Sequence, residues 1–502
     1  MRIRSSWFGF VAVSLSCVVM ACGNAKRLPA GKRLFIGSQT AIADKEVPKN
    51  VRKALAKDML TVARPKPNTT LLGVRLKLTM YNMAGPPKRK RGIRQWVRRK
   101  VGEPPVMADD VSIENNKALM VNLLQNRGFF QASATGHLDT SHKKKAHAVY
   151  EVSSGPQYTI KSATFRKDTS RIMHDIADGF DKTLLIADAP YSLDLIKAER
   201  VRIDRDLKEK GYFYFRPDYI IVVADTSVGE HKVNLTVRVK RREVPDEASH
   251  VFTINDVYVF TNYKLSGKQQ DSGISDNKQT DNYHIIDHKN SYNPRVFTDA
   301  LIFEKGDRYS LDDQNASLSR LVNIGNFKFV KNRFEPVADS LLDVYYYLTP
   351  YPRKSLRFEA GALTQNDNRA GVKGSVSWRR RNAFRGAEEL AFKVNGGVEM
   401  QYSGIVKQPN FYNVGTELSL SIPRFAMPFV RINTASRYLP HTTLNVKYNF
   451  ESSAGLLRIN SYSATYGYNW REGQHKEHDL RPLLFTYVKT DTLGNQIGRA
   501  HV

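Results

Sequence analysis

Two periodicities divide this chain. Up to about residue 350, short alternating runs are interleaved with apolar residues at helical spacing; from Lys354 onward only the alternation remains. The first part repeats itself. Tyr158-Thr159-Ile160 and Phe252-Thr253-Ile254 each open an alternating strand, through Ile160, Ser162, Thr164 and through Ile254, Asp256, Tyr258. Tyr191-Ser192-Leu193-Asp194 and Tyr309-Ser310-Leu311-Asp312 each place a serine where a helix N-cap belongs. The helices after them carry Leu193, Ile196, Ile203, Leu207 and Leu311, Leu318, Leu321, Val322. They end at Gly211-Tyr212-Phe213 and Gly325-Asn326-Phe327, where glycine suits the left-handed residue past a helix. Closing runs come next at Asp218–Val223 and Val233–Val239, and at Val344–Leu348.

An earlier copy has the same grammar. A strand begins at Leu34–Ile36 and a helical stretch covers Val51–Leu60. Leu119, Met120, Leu123 and Leu124 line a second helix that ends at Gly128-Phe129-Phe130, and Ala146–Val152 closes the unit. Each copy reads β-α-α-β-β, an α+β module, over 34–154, 155–248 and 249–350. The polar stretch 266–292 reads as a loop within the third copy.

From 354 to 502 seven alternating runs appear, represented by Leu356/Phe358, Val372/Val376, Leu390/Phe392, Val414/Leu418, Leu444/Val446, Tyr462/Tyr466 and Leu483/Phe485. Strands of about ten residues, apolar on one side and polar on the other, with aromatics near their ends, fit an antiparallel transmembrane barrel. A soluble β-sandwich shows the same alternation.

A net charge of +28 over 502 residues reads either as a solvated basic surface or as attraction to an anionic partner, membrane or nucleic acid. The N-terminus chooses between them. Arg2 and Arg4 precede an uncharged run, Trp7 to Ala21, too short to span a bilayer, so residues 1–21 read as an export signal. The signal ends Val19-Met20-Ala21-Cys22. Of the two cysteines, Cys17 lies inside the removed segment, so Cys22 has no disulfide partner in an oxidising compartment. The run resembles a bacterial lipobox, apolar at −3 and small at −1 before the cysteine, and lipidation at Cys22 with 22–33 as a tether would account for it; an ordinary signal with a chance cysteine is the alternative. An exported lipoprotein does not meet the genome, which leaves the membrane.

One insertion in the first copy concentrates charge. Lys88, Arg89, Lys90, Arg91, Arg94, Arg98, Arg99 and Lys100 fall within thirteen residues, and Ile93, Trp96 and Val97 share a helical face. Either this is an amphipathic segment contacting lipid or client, or it is a solvated basic helix whose Trp96 packs on its own domain. Candidate catalysis is absent: there is no Gly-x-Ser-x-Gly and no His-Glu-x-x-His. His475 and His478, near Glu477 and Asp479, sit in a charged turn that reads as solvated rather than metal-binding. No enzyme activity, cofactor or metal is expected.

The repeated order with its Gly-aromatic signature resembles the POTRA domain, the periplasmic module of BamA/TamA-type outer-membrane assembly factors, over about 34–349. Asn382-Ala383-Phe384-Arg385-Gly386-Ala387-Glu388, Pro423-Arg424-Phe425-Ala426-Met427-Pro428-Phe429 and His478-Asp479-Leu480 resemble early barrel strands of the Bacteroidetes translocation and assembly module lipoprotein, TamL. The resemblance implies outer-membrane localisation, a sixteen-stranded barrel, unfolded outer-membrane clients received by β-augmentation, an insertase role and a TamB-like periplasmic partner. Gly23 after Cys22 favours the outer membrane, and no acidic surface-export cluster comes after it. The modules could instead act as a rigid spacer. An outer-membrane secretion pore for one dedicated partner is the alternative function. Seven strands fall short of sixteen, and no Arg-Gly-aromatic loop motif lies beyond them. Ile497–Val502 matches one reading frame of a common sequencing adapter. The chain is therefore expected to be a fragment of a longer barrel protein.

Overall fold

The computed structural model describes residues 28–492, apart from 30, 45–46, 72, 87–91, 167–169, 241, 265–277, 281–282, 365–368, 403–409, 428–435 and 454–456. The chain forms two compact units, one of residues 1–203 and 217–241, the other of 204–216 and 242–502.

In the first unit, module 1 comprises β1 (Leu34–Ile42), α1 (Lys49–Val62), an inserted pair of helices, α2 (Leu76–Ala84) and α3 (Ile93–Trp96, continued by a π turn, Val97–Val101), then α4 (Ile113–Gln125), β2 (Ser133–Asp139) and β3 (Lys145–Ser153). The sheet order is β1-β3-β2, with β1 parallel and β2 antiparallel to β3. The two main helices lie on it because their apolar stripes, Leu55/Met59 and Met120/Leu124, bury against Phe35, Tyr150 and Val152. A buried amide locks the arrangement. Asn116 donates to the Arg64 carbonyl (2.7 Å) and the Tyr150 hydroxyl (2.8 Å) and accepts from the Arg64 N–H (2.8 Å).

Module 2 repeats the plan with β4 (Thr159–Phe165), α5 (Arg171–Ala177), α6 (Leu193–Glu209), β5 (Ile220–Asp225) and β6 (Lys232–Val239), in sheet order β4-β6-β5. Its buried acid is satisfied. Glu199 accepts from the Thr183 hydroxyl and Leu184 N–H (both 2.9 Å) and pairs with Arg202 (2.7 Å).

In the second unit, module 3 comprises β7 (Thr253–Phe260), β8 (Lys278–Thr280), β9 (Tyr283–Ile286), α7 (Arg295–Thr298), α8 (Leu311–Asn323), β10 (Phe327–Ala338) and β11 (Leu341–Pro350), in order β10-β11-β7-β9-β8. The stretch 266–292, expected to be loop, thus contributes two strands. Tyr283, Ile285 and Ile286 are buried, a pattern hidden in sequence by the polar residues around them.

The first strand of every module carries a bulge at the same place, between Phe35 and Gly37, Ile160 and Ser162, and Ile254 and Val257. A bulge inverts the facing of the residues beyond it. Val257 and Val259 are therefore buried, not the Asp256 and Tyr258 that unbroken alternation puts in phase with Ile254. In module 3 the Asn255 amide fastens the bulge by donating to Asp343 (2.8 Å).

The seven expected runs all form strands: β12 (Lys354–Thr364), β13 (Arg369–Arg381), β14 (Glu389–Gln401), β15 (Phe411–Ile422), β16 (His441–Ser453), β17 (Leu457–Arg471) and β18 (Glu477–Thr492). They make one antiparallel meander in sequence order. Among the described residues no helix is long and apolar enough to cross a membrane, which says nothing of strands.

Candidate functional site

The meander has two chemically distinct faces. Its register aligns Leu356, Trp378, Phe392, Leu418, Val446, Ala464 and Phe485 in one cross-strand row, and Phe358, Val376, Val394, Thr416, Tyr448, Tyr462 and Tyr487 in the next. Further rows on that face run Leu390-Leu420-Leu444-Tyr466-Leu483, Ala360-Gly374-Gly396-Val414-Phe450 and Ala362-Val372-Val398-Tyr412. Five rows two residues apart span about 27 Å along the strands. At barrel-like tilt this is about 20 Å in height, near the apolar band of an outer-membrane sheet. The opposite face carries Arg357-Ser377-Lys393-Glu417-Lys447, with Lys447 paired to Glu417 (3.1 Å). Among the described residues of its unit no second sheet lies on the apolar face: Phe358 is 71%, Val372 64% and Phe485 59% exposed. A sandwich buries such a face; this one is exposed among the described residues.

The module sheets differ in which edges they leave open. The segment preceding the second main helix pairs with the start of each first strand. Phe35 N–H donates to the Val106 carbonyl (2.9 Å), Ile160 N–H to Ala189 (2.9 Å) and Ile254 N–H to Asp307 (2.8 Å). Beyond that point β1 and β4 are edges, whereas β7 is covered by the chain's own β9, which pairs parallel to it. Edge β10 is blunted by Pro336 at a register shift and by Lys328, Lys331 and Arg333. Edge β5 carries no such device over Ile220-Ile221-Val222-Val223, and Val223 is exposed. It is one of the open module edges, with β1, β2 and β4, that can accept an extended chain.

The Gly-aromatic signature builds the junctions. Gly128 (φ 87°) gives its carbonyl to Tyr158 N–H (2.9 Å), and Phe130 packs on the Tyr158 and Tyr191 rings (5.1 and 4.9 Å between centroids). Gly211 (φ 95°) does the same for Phe252 N–H (2.9 Å), and Phe213 packs on Tyr309 (4.9 Å). A Cβ on Gly211 would lie 2.6 Å from Val251 Cγ1 and 2.9 Å from Arg308 Cγ, so only glycine fits. After Gly325 the Asn326 carbonyl accepts from Tyr351 N–H (2.9 Å), at the entry to the meander.

Module 3 is latched onto the meander. Arg320, on α8 and 7% exposed, donates through Nε and Nη2 to the Ser436 carbonyl (2.9 and 2.7 Å). Arg437 pairs with Asp312 (3.1 Å). The turn between β13 and β14 docks from the other side: buried Asn382 donates to the Ser291 carbonyl (2.7 Å), and Asn293 N–H to Arg385 (2.7 Å). Asn382, Arg385 and Ala387 all have positive φ, and Glu388 holds the turn by accepting from Gly386 N–H (2.9 Å).

Of the sequence candidates, Cys22, Lys88, Arg89, Lys90 and Arg91 lie outside the described residues. Arg94, Arg99 and Lys100 are exposed. Arg98 is structural: it donates to the Gly85 carbonyl (2.7 Å) and stands over the Tyr81 ring at 4.0 Å. Trp96 is 59% exposed. His478 stacks on Trp470 (4.8 Å) and faces Glu472 (3.4 Å).

No family model and no curated protein matches this chain. Similar solved structures include "Crystal structure of Haemophilus Influenzae BamA POTRA3-5" (TM-score 0.32, 14% identity, 64% of this chain and 99% of that one). A second is BamA from Haemophilus ducreyi lacking POTRA domains 1-3 (0.33, 12%, 67% and 64%). A third is CdiB from Acinetobacter baumannii (0.24, 11%, 68% and 63%). This chain therefore spans under two thirds of the length of the second and third. Likenesses at these TM-scores carry no functional weight, and the fold rests on the chain's own geometry.

Sequence reasoning missed the Arg320 latch, the β9 cover on β7 and the Asn116 lock. Each joins residues at least 26 positions apart or buried in polar sequence, so no local pattern signals it. The one local trace was the Asn382–Glu388 run, singled out by resemblance and found to be the docking turn.

Proposed function

We propose that this chain is an outer-membrane protein-assembly factor whose meander enters the outer membrane and whose three modules receive unfolded clients in the periplasm. The uncovered, register-continuous apolar face of the meander carries this reading, because lipid is the solvent that such a face requires. The unblunted β5 edge supplies the second element, a main-chain template that accepts extended clients without a fixed side-chain code. The latch would hold module 3 at the membrane end of the meander.

The finer reading rests on the sequence resemblance. The chain is a TamL-type lipoprotein acylated at Cys22, with outer-membrane lipid, several client proteins and a TamB-like periplasmic protein as partners. Seven strands of a larger closed barrel account for the two open edges, β12 and β18, since unpaired edge groups in lipid cost several kcal/mol each. No catalysis or cofactor is involved. Radiolabelled palmitate should enter the wild-type chain and not C22S. Depletion followed by membrane proteomics tests the function itself. Several unrelated outer-membrane proteins should fall together; loss of a single exported protein would favour the secretion pore instead.

A further inference from the structure

Module 1 differs from the other two in the helical insertion between α1 and α4. The insertion is firmly built. Gly102 lets the π turn approach α2 so closely that a Cβ there would lie 2.9 Å from Tyr81 Cα. Arg98 clamps the pair across Gly85 and Tyr81. At its base Asn68, 2% exposed, bridges the Pro104 carbonyl (2.7 Å) and Val106 N–H (3.1 Å), and Thr69 holds Glu103 with its hydroxyl (2.7 Å) and N–H (2.9 Å).

A hairpin so well fastened still leaves its large apolar side chains bare. On α2, Leu76, Met80 and Met83 recur at i, i+4, i+7 and are 37%, 43% and 64% exposed, while Leu78 and Thr79 face inward. On α3, Ile93 and Trp96 are 83% and 59% exposed. Beside them Arg94, Arg99 and Lys100 are exposed and form no ion pair among the described residues. A solvated basic helix has no use for a bare Ile and Trp. An apolar docking surface for a protein has no use for three unpaired cations. Together they match an anionic lipid leaflet, where long apolar side chains and an indole enter the headgroup boundary and cations meet phosphates.

We propose that the α2–α3 hairpin is a peripheral membrane-binding element that seats Met80, Met83, Ile93 and Trp96 in an anionic phospholipid leaflet, held by Arg94, Arg99 and Lys100. This contact is separate from acylation. Eleven residues lie between Cys22 and Leu34, a reach of at most about 40 Å, so anchor and hairpin can share one leaflet.

The test places a nitroxide on the full chain, cysteine-free otherwise through C17S and C22S, at M83C, I93C or the exposed module 1 control N115C. Vesicles are phosphatidylethanolamine with phosphatidylglycerol, or phosphatidylcholine alone. In anionic vesicles the labels at 83 and 93 should become more accessible to oxygen than to a water-soluble nickel chelate, while the control stays in water. The combined substitutions R94E, R99E and K100E should weaken insertion about 100-fold or more, at roughly a factor of five per lost cation. Phosphatidylcholine should abolish insertion without altering the protein at all. Labels that stay in water in anionic vesicles overturn the proposal. So do labels already shielded without lipid, which would mean a second copy or another part of the chain covers the hairpin. Equal insertion in both lipids overturns the role of the cations. The omission of Cys22 keeps this result independent of whether the chain is acylated.

Discussion

Val376 and Ser375 are neighbours on β13 at the same height in the sheet, one on each face. Val376 sits in the middle apolar row between Phe358 and Val394, and Ser375 lies between Glu359 and Asn395 on the polar face. V376R therefore separates lipid from water as the solvent of the apolar face. If that face lies in a bilayer, arginine near its midplane costs about 2–4 kcal/mol, or roughly 30- to 900-fold in the folding equilibrium. If it lies in water, nothing is lost, because Val376 is already 40% exposed and exposed substitutions stay within about 0.5 kcal/mol. S375R is the control: Ser375 already donates to Glu359 (3.1 Å), which would pair with the new guanidinium, so the cost should be near zero. Reversible urea unfolding of the full chain in phospholipid vesicles, followed by tryptophan fluorescence, measures both. A V376R cost below about 0.5 kcal/mol, or a larger cost for S375R, would refute the membrane-facing assignment.

Three further substitutions probe the supports of that architecture. G211A should cost about 3 kcal/mol or more by urea unfolding, from left-handed strain plus the clash with Val251 and Arg308; G229A, at φ 79° but in open space, should cost only about 1–2 kcal/mol. R320A should cost about 2–4 kcal/mol by leaving the Ser436 carbonyl unpaired, and R320K should recover less than half, since an ammonium cannot reproduce the fork; unchanged stability would show that the latch contributes nothing. Asp44 has its pKa held below 3.8: burial opposes ionisation, but hydrogen bonds from Ser154 and Ser153 outweigh it. A depressed carboxyl stabilises above its unfolded pKa and loses that contribution as pH falls through the folded one. The stability gap between wild type and D44A should therefore be open near pH 7 and shrink as the pH drops below 3.8; a gap constant across that range would contradict it.

Much of this architecture is legible in sequence where the physics is local. Serines at 192 and 310 mark helix starts because their hydroxyls accept from Asp194 and Asp313 N–H, and Gly128, Gly211 and Gly325 mark helix ends because each has positive φ. The seven alternating runs become seven strands because each shows one apolar side. Alternation fails at Ile254–Tyr258, where a bulge inverts the facing of Asp256 and Tyr258 and only pairing with β11 reveals it. The exposure of Trp96 was equally illegible. Helical spacing shows which residues share a face, not whether another element covers it.

An open module edge that receives the extended chains of many clients is the centre of the proposed function. A photo-crosslinking amino acid at Val223, on the open β5 edge, tests it in living cells, with the same group at Val257, on the covered and buried strand β7, as the control. Adducts at Val223 with several different outer-membrane proteins, and none at Val257, are the predicted result. A single exported protein in every Val223 adduct, or no adduct with any outer-membrane protein, would contradict it.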